Sequence, residues 1–222
     1  MTFFEQLQDK LRKDDSKIDL KLEIYASPPD SSIIIHKANR TFFIKKQQNK
    51  WGIILKEGNY YQAKGKFKSV ETICNVLIQW LEKSAQVESL HQTYKTLKIY
   101  TDINFTQFKY AKNKKNWNKL NNFFWGEEYF YAGFGFEKNI KIIQKILKDE
   151  ILNKTYPFSS LGRICILNDK DKFNYLCISA NRFPEHRERF FVNIPPNSEQ
   201  LYFNEISKAL IELKNNLQML PK

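Results

Sequence analysis

The stretch IIIHKANRTFFIKKQQNKWGIILKEGNYYQA, residues 33–63, decides the fold of this chain. It contains four short runs rich in β-branched and aromatic residues, at 33–37, 41–46, 51–55 and 59–63. Polar or glycine-containing turns separate these runs, which is typical of an antiparallel meander. The sequence therefore predicts four strands that follow one another in the chain.

Regular patterns continue on both sides of this meander. Residues 18–24 alternate apolar and polar side chains, which predicts a half-buried strand that the proline pair at 28–29 ends. After the meander, apolar residues recur at helical spacing behind Ser69, a candidate N-cap, and predict a helix over 69–83. The first residues, 1–15, predict a short amphipathic helix.

The C-terminal third of the chain repeats this plan. Strands are predicted at 161–167, 173–180 and 189–194, with a turn at 168–172 after the first of them. A closing helix is predicted over 204–217 from the spacing of its apolar residues. Both ends of the chain therefore read as a β-meander followed by a helix.

The middle of the chain is less regular. Periodic apolar residues predict a helix over 137–149 and a shorter one over 87–97, whereas 122–136 is rich in aromatic residues and glycine without a clear period. This order of elements fits the α+β class, with antiparallel β-meanders that are each followed by a helix and helices that pack on the sheet.

Length and composition are those of a folded protein with a sizeable core. The 222 residues are 42% hydrophobic and 15% aromatic, which suits one domain, 1–222, or two intimately packed halves at about 17–100 and 101–222. No apolar run approaches the roughly 20 residues of a membrane-spanning helix, and the first residues lack the pattern of a secretory signal. We therefore expect a cytoplasmic protein with no membrane partner.

Metal, cofactor and disulfide chemistry have no recognisable motif in this sequence. The three histidines lack metal-ligand spacing: His36, His91 and His186. The three cysteines are odd in number and lie in apolar patterns, so a disulfide framework is not expected: Cys74, Cys165 and Cys177. Glycine-rich phosphate loops are absent as well. We expect neither a metal nor a cofactor, and a Cys–His nucleophile pair stays open without local support.

The charge balance of the chain is strongly basic. The 36 lysines and arginines outnumber the 24 acidic residues, for a net charge of +12. Such a charge favours nucleic acid or an acidic protein as partner. A compositional drift towards lysine and asparagine explains the same numbers, and both interpretations stay open.

A short phrase in the C-terminal half resembles a known motif. The chain resembles a family of uncharacterised bacterial proteins that are described as natural product biosynthesis protein and carry a Leu-Arg-x-Leu-[FY]-Pro-Phe-Thr-Ser phrase before a strand. The matching positions here are Ile151, Leu152, Tyr156, Pro157, Phe158, Ser159 and Ser160, with Ser159 in place of the usual threonine. The resemblance implies a similar fold and an association with peptide natural-product loci, and it implies no activity.

The same phrase also has an interpretation from local chemistry. Pro157 disfavours helix at Tyr156, so we expect the preceding helix to end there in a corner. Tyr156 and Phe158 are predicted to insert into the core, and Ser159 and Ser160 to hydrogen-bond nearby backbone groups. No G-x-S-x-G motif surrounds the serines, which favours a structural corner over a catalytic serine.

The segment RFPEHRER, residues 182–189, is the predicted partner-binding loop. It concentrates half of the six arginines between two predicted strands, and arginine is favoured at interface hot spots. The predicted binding residues are Arg182, His186, Arg187 and Arg189. In the alternative interpretation the loop is solvated, and its two glutamates neutralise the arginines internally.

A second basic segment, 110–119, is the candidate for nucleic-acid binding. Its aromatic and basic side chains are those that stack on bases and meet phosphates: Tyr110, Lys112, Lys114, Lys115, Trp117 and Lys119. An exposed helix with a lysine-rich face produces the same pattern.

Three functions follow from these observations. The leading one is a non-enzymatic protein-binding module, an accessory or immunity-type protein of a bacterial natural-product or toxin locus. The first alternative is an enzyme of peptide natural-product biosynthesis in which Glu127, Glu128 or His186 borders a cleft. The second is a basic nucleic-acid-binding protein. The partner and the oligomeric state stay open.

Overall fold

The computed structural model describes residues 2–14, 16–18, 32–47, 49–108, 111–130, 136–167, 175–180, 190–194 and 199–219. The chain divides into two compact units, Met1–Thr101 and Asp102–Lys222. Each unit combines an antiparallel sheet with helices, which confirms the α+β prediction. Most of the strand predicted at 18–24 and the turn predicted at 168–172 lie outside the described residues.

The first unit contains a five-stranded antiparallel sheet whose strands lie side by side in chain order. They are β1 (Ser32–Lys37), β2 (Arg40–Gln47), β3 (Lys50–Glu57), β4 (Tyr60–Phe67) and β5 (Lys98–Ile99). The first four are the predicted meander. Gly58 has a φ of +56° in the two-residue turn between β3 and β4, a position that glycine occupies at little cost.

Three helices belong to the first unit: α1 (Phe3–Lys13), α2 (Val70–Leu81) and α3 (Val87–Thr93). The hydroxyl of Ser69 accepts a hydrogen bond from the amide of Thr72, which confirms the predicted N-cap. α1 contacts α2, and α2 contacts β2 and β4. These helices and the sheet therefore enclose a single apolar cluster with Phe42, Leu77 and Trp80 at its centre.

The second unit contains three longer helices and a second five-stranded antiparallel sheet of strand order β10-β9-β8-β7-β6. Its elements are α4 (Lys114–Phe130), α5 (Phe136–Lys148), β6 (Tyr156–Ser160), β7 (Arg163–Leu167), β8 (Tyr175–Ala180), β9 (Phe190–Ile194), β10 (Glu199–Phe203) and α6 (Ile206–Met219). The helices α5 and α6 each contact β8. The predicted helix over 137–149, the strand predicted at 161–167 and the closing helix are confirmed, each end within two residues of its prediction. Strands β8 and β9 lie within the strands predicted at 173–180 and 189–194, whose first residues lie outside the described residues.

Asp149 connects the end of α5 to α6. Its carboxylate accepts hydrogen bonds from the backbone amides of Ile151 (2.9 Å) and Leu152 (3.0 Å) and from the Lys214 ammonium (3.2 Å). Burial raises the pKa of Asp149, but the amides of Leu152 and Ile151 and the charge of Lys214 offset this and lower the pKa below its usual value. Asp149 therefore stabilises the fold as a carboxylate.

The predicted corner at 156–160 is wrong, because Tyr156–Ser160 is strand β6. It pairs with β7 at the edge of the sheet, and Pro157 lies opposite Ile166. An edge strand tolerates proline because one side of it needs no ladder hydrogen bond. The burial is also the reverse of the prediction, since Pro157 is buried while Tyr156 and Phe158 are only half-buried.

Helix α4 beyond its lysine-rich start and the short strands β5 and β10 were not predicted. The segment 122–136 falls largely within α4, and the short strand β10 lies between the predicted strand at 189–194 and the closing helix. Asn122 and Gly126 of α4 are buried together with Phe124. Because the buried face of α4 includes an asparagine and a glycine, it shows no apolar period in the sequence.

The cysteines also depart from expectation. Cys165 on β7 lies directly opposite Cys177 on β8, with their Cα atoms 4.1 Å apart, and the two form a disulfide. Cys74 is buried in the first unit as predicted for a small apolar residue. The odd count argued against a disulfide, but strand register brings two of the three cysteines together.

No helix in the described parts of the chain combines the length and the apolar character that crossing a membrane requires.

Candidate anion-binding pocket

The arginine-rich loop lies outside the described residues. Arg182, His186, Arg187 and Arg189 all belong to the segment 181–189, whose placement is not described. Their role in partner binding stays a prediction.

The candidate nucleic-acid segment is only partly available for binding. Its lysines are exposed around the start of α4: Lys112, Lys114, Lys115 and Lys119. Trp117, however, is fully buried in the core of the second unit. The predicted stacking of Trp117 on bases is therefore wrong, because this side chain packs inside its own unit. Tyr110 lies outside the described residues.

The candidate catalytic residues do not assemble in the part of the chain that the structure describes. Glu127 and Glu128 are half-buried on α4, and no three histidine, cysteine, aspartate or glutamate residues come together there in a group that holds a metal. The Nδ1 atom of His36 lies 2.9 Å from the Thr41 hydroxyl, and Nδ1 of His91 lies 2.7 Å from a backbone carbonyl. These geometries are those of structural histidines.

Cys74 also lacks the properties of a catalytic nucleophile. Its thiol donates to the Leu7 carbonyl at 3.9 Å and joins α2 to α1. Burial raises the pKa of Cys74 to about 12, and a thiol with such a pKa is not a reactive thiolate at neutral pH. Among the described residues no Cys–His pair forms.

Positive charge is concentrated in the sheet of the first unit. From Arg40 to Lys68 the chain carries eight basic residues and one acidic residue, Glu57. That acid pairs with Arg40, whose Nε lies 3.2 Å from a Glu57 carboxylate oxygen. The other seven basic residues are lysines on or next to strands β2, β3 and β4. The lysines are therefore less evenly spread than the whole-chain composition indicates.

A cavity of about 430 Å³ lies at one end of this basic sheet. Three separate segments line it: the first turn of α1, the β2–β3 hairpin and the junction of β4 with α2. The lining residues are Phe3, Gln6, Lys46, Asn49, Trp51, Lys68 and Val70. The volume is within the range of ordinary small-molecule sites. We call this cavity the Trp51 pocket.

Two stacked aromatic rings form one wall of the Trp51 pocket. The rings of Phe3 and Trp51 lie 3.6 Å apart between centroids, at an angle of 22°. In the sheet, Trp51 is flanked directly by Lys46 of β2 and Phe67 of β4. Phe67 belongs to the apolar core, so Trp51 and Lys46 continue the same face of the sheet beyond the core. The indole is therefore held in place by the fold.

The polar residues of the pocket face solvent. Lys46, Asn49 and Lys68 are exposed, and none of their side chains forms a hydrogen bond or ion pair within the described part of the chain. The acids in the first turns of α1 and α2 are engaged elsewhere. Glu5 accepts from the Thr2 amide at 2.7 Å, and Glu71 lies 3.9 Å from the Lys10 ammonium. Both lysines are thus available to an anion.

This arrangement is suited to binding a ligand. No histidine, aspartate, glutamate or cysteine lines the pocket, whereas two lysines, an amide and two aromatic rings do. Cations and aromatic faces together bind planar ligands that carry a negative charge.

The sequence interpretation missed this site, because it treated 41–63 as scaffold strands. The signal that was present is the ratio of eight basic residues to one acidic residue between 40 and 68.

Comparisons with protein-family models, curated proteins and solved structures found no match to this chain. The family resemblance of the phrase at 151–160 therefore stays a prediction.

Proposed function

We propose that this protein is a non-enzymatic binding module that holds single-stranded nucleic acid on the lysine-rich strands of its first unit. The observation that carries the proposal is the charge between Arg40 and Lys68, where seven lysines accompany one acidic residue that pairs with Arg40, and where Lys46, Lys50 and Lys68 are exposed. Neighbouring strands lie about 5 Å apart, within the Debye length of about 8 Å at physiological salt. The potentials of these lysines therefore add.

Lysine is the residue expected on a surface that binds the phosphates of a nucleic acid without recognising its base sequence. Its ammonium is a strongly hydrated point charge on a flexible stem, whereas specific forked contacts favour arginine. Binding through such a surface releases counterions, so its affinity falls steeply with salt. We therefore expect weak sequence preference and strong salt dependence.

The test measures binding of a fluorescent oligothymidylate of about 12 nucleotides, a length within the site sizes of single-strand binding domains. The variant is the triple substitution K46Q/K50Q/K68Q, whose three lysines are exposed. The matched control is K37Q/K83Q/K95Q, which removes three exposed lysines of the same unit outside β2–β4. Each lost phosphate contact lowers the salt slope by about 0.7, so the variant loses about 2 from this slope and the control much less.

Two results would contradict the proposal. One is a wild-type protein that does not bind the oligonucleotide at low salt. The other is a polyglutamate of equal charge that binds as tightly as the oligonucleotide and is lost in the same variant, since this would make an acidic protein the partner.

A second candidate function is the protein-binding module expected from the sequence, and exposed apolar residues of the second unit favour it. Leu161 is 80% exposed at the tip of the β6–β7 hairpin, and Ile211 of α6 is 59% exposed. The accessory or immunity-type role predicts a stable complex with a protein encoded beside this gene. L161S should weaken that complex while the fold is unchanged, and equal affinity of L161S would contradict a contact at this hairpin.

A further inference from the structure

We propose that the Trp51 pocket binds one nucleotide of the single strand, with the base stacked on the Phe3–Trp51 pair and the adjoining phosphates on Lys46 and Lys68. This inference rests on the proposed function and adds a defined subsite to it. The occupant is a single strand and not a duplex, because a base in a duplex already stacks on its neighbours and must be extruded to expose its face.

The first argument is preorganisation of the aromatic wall. The two rings already stack at 3.6 Å, and Trp51 sits between Lys46 and Phe67 in the sheet register. A ligand therefore does not need to order the indole, which reduces the entropic cost of binding. A base that stacks on this pair extends an existing stack.

The second argument is the position of the cations. Directly opposite residues of antiparallel strands have Cβ atoms about 5 Å apart, so Lys46 emerges beside the indole of Trp51. Lys68 is the residue after Phe67, which flanks Trp51 on the other strand. A base stacked on Trp51 thus has a lysine on each side. Strand pairing places Lys46 beside Trp51, whereas Lys68 follows the end of β4 and lines the same cavity from the junction of β4 with α2.

The third argument is the polar lining. Asn49 is exposed in the β2–β3 turn and lines the cavity, and its amide offers both a donor and an acceptor to the edge of a base. The carboxylates of an acidic peptide also pair with the lysines of the pocket, but an aspartate or glutamate side chain has no ring that stacks on Phe3 and Trp51. The combination favours a nucleotide over a carboxylate.

The test compares an oligothymidylate with an abasic oligomer of the same length, which has the same phosphates and no bases. Base stacking on an aromatic side chain changes affinity by roughly 5- to 150-fold per base. We expect the wild type to bind the oligothymidylate at least about tenfold more tightly than the abasic strand. In W51L the difference should largely disappear through loss of oligothymidylate affinity, with the salt slope unchanged. In K46Q/K68Q both affinities should fall, with a smaller slope.

W51L keeps apolar bulk against Phe3, and circular dichroism with the urea midpoint verifies its fold. W51F, which keeps a ring, should recover part of the lost affinity. Salt-dependent binding of both oligomers with no loss in W51L would overturn the subsite and leave the proposed function intact. Binding of neither oligomer would overturn both.

Discussion

Arg40 provides the sharpest test of how the first unit is held together. Its side chain is only 11% exposed, and its Nη1 donates to the carbonyls of Trp80 (3.0 Å) and Ala85 (2.9 Å). Trp80 is in the last turn of α2, where carbonyls have no partner within the helix. The guanidinium also lies 4.0 Å from the centroid of the Trp80 ring. Arg40 thus fastens the end of α2 to the sheet.

The expected cost of Arg40→Met follows from these contacts. Hydrogen bonds to a charged group contribute about 1.5–3 kcal/mol each, and a desolvated cation–π contact contributes about 2 kcal/mol. These values are not additive, and Glu57 also loses its partner, so we expect a loss of about 3–5 kcal/mol. Arg40→Lys keeps the charge without the fork and should cost less. Glu57→Gln should cost less than about 1 kcal/mol, because Glu57 is 40% exposed.

Labelling of Cys74 measures this loss in the 222-residue chain. Cys74 is buried in the first unit, and the other two cysteines form a disulfide, so under non-reducing conditions its thiol reports the opening of that unit. A loss of 3–5 kcal/mol corresponds to labelling that is roughly 100- to 4,000-fold faster. The control is Arg12→Met, which removes an exposed arginine of α1. If Arg40→Met and the control label at the same rate, the assigned role of Arg40 is wrong.

Three further predictions concern stability and are tested by urea unfolding. Asp149 has a lowered pKa, so it stabilises the fold above about pH 4, and this stabilisation is lost as pH falls through the folded-state pKa. Asp149→Asn should weaken the pH dependence of the unfolding free energy. A variant with the pH profile of the wild type would contradict the role of Asp149. Leu161 has a φ of 48° in a hairpin turn, so Leu161→Asn should raise stability by about 0.5–1 kcal/mol; a lower stability would show that the exposed leucine makes stabilising contacts. A Cβ at Gly65 would lie 3.2 Å from the Thr96 carbonyl oxygen, so Gly65→Ala should lower the free energy of unfolding by about 1–3 kcal/mol. An unchanged urea midpoint would show that the backbone at Thr96 moves to accommodate the methyl group.

Much of the fold follows from local periodicity. The runs between 33 and 63 became strands β1–β4, and the apolar spacing over 69–83 became helix α2. In β1 and α2 one face of the element is more buried than the other, so the pattern of side chains records the structure directly. The centre of β3 is buried on both faces, and there a short continuous apolar run indicates the strand. The capping role of Ser69 is equally local, since donor and acceptor lie three residues apart.

The errors occurred where burial does not follow a simple period. Helix α4 buries an asparagine and a glycine among its aromatic residues, and β6 contains a proline that only an edge strand accommodates. The disulfide has the same origin, because Cys165 and Cys177 are 12 residues apart in the chain and opposite each other in the sheet. Each of these features depends on which strand or helix is the neighbour.

The candidate site, too, is evident from the sequence in part and from the tertiary structure in part. The excess of lysine between residues 40 and 68 is written in the sequence, as are the amphipathic patterns that make the chain an α+β protein. The sequence does not show that Phe3 stacks on Trp51 or that Lys46 and Lys68 line the same cavity. Those contacts join segments that are distant along the chain, and they arise from strand register and from the packing of α1 against α2. Local propensity sets the elements, whereas long-range pairing decides which side chains meet.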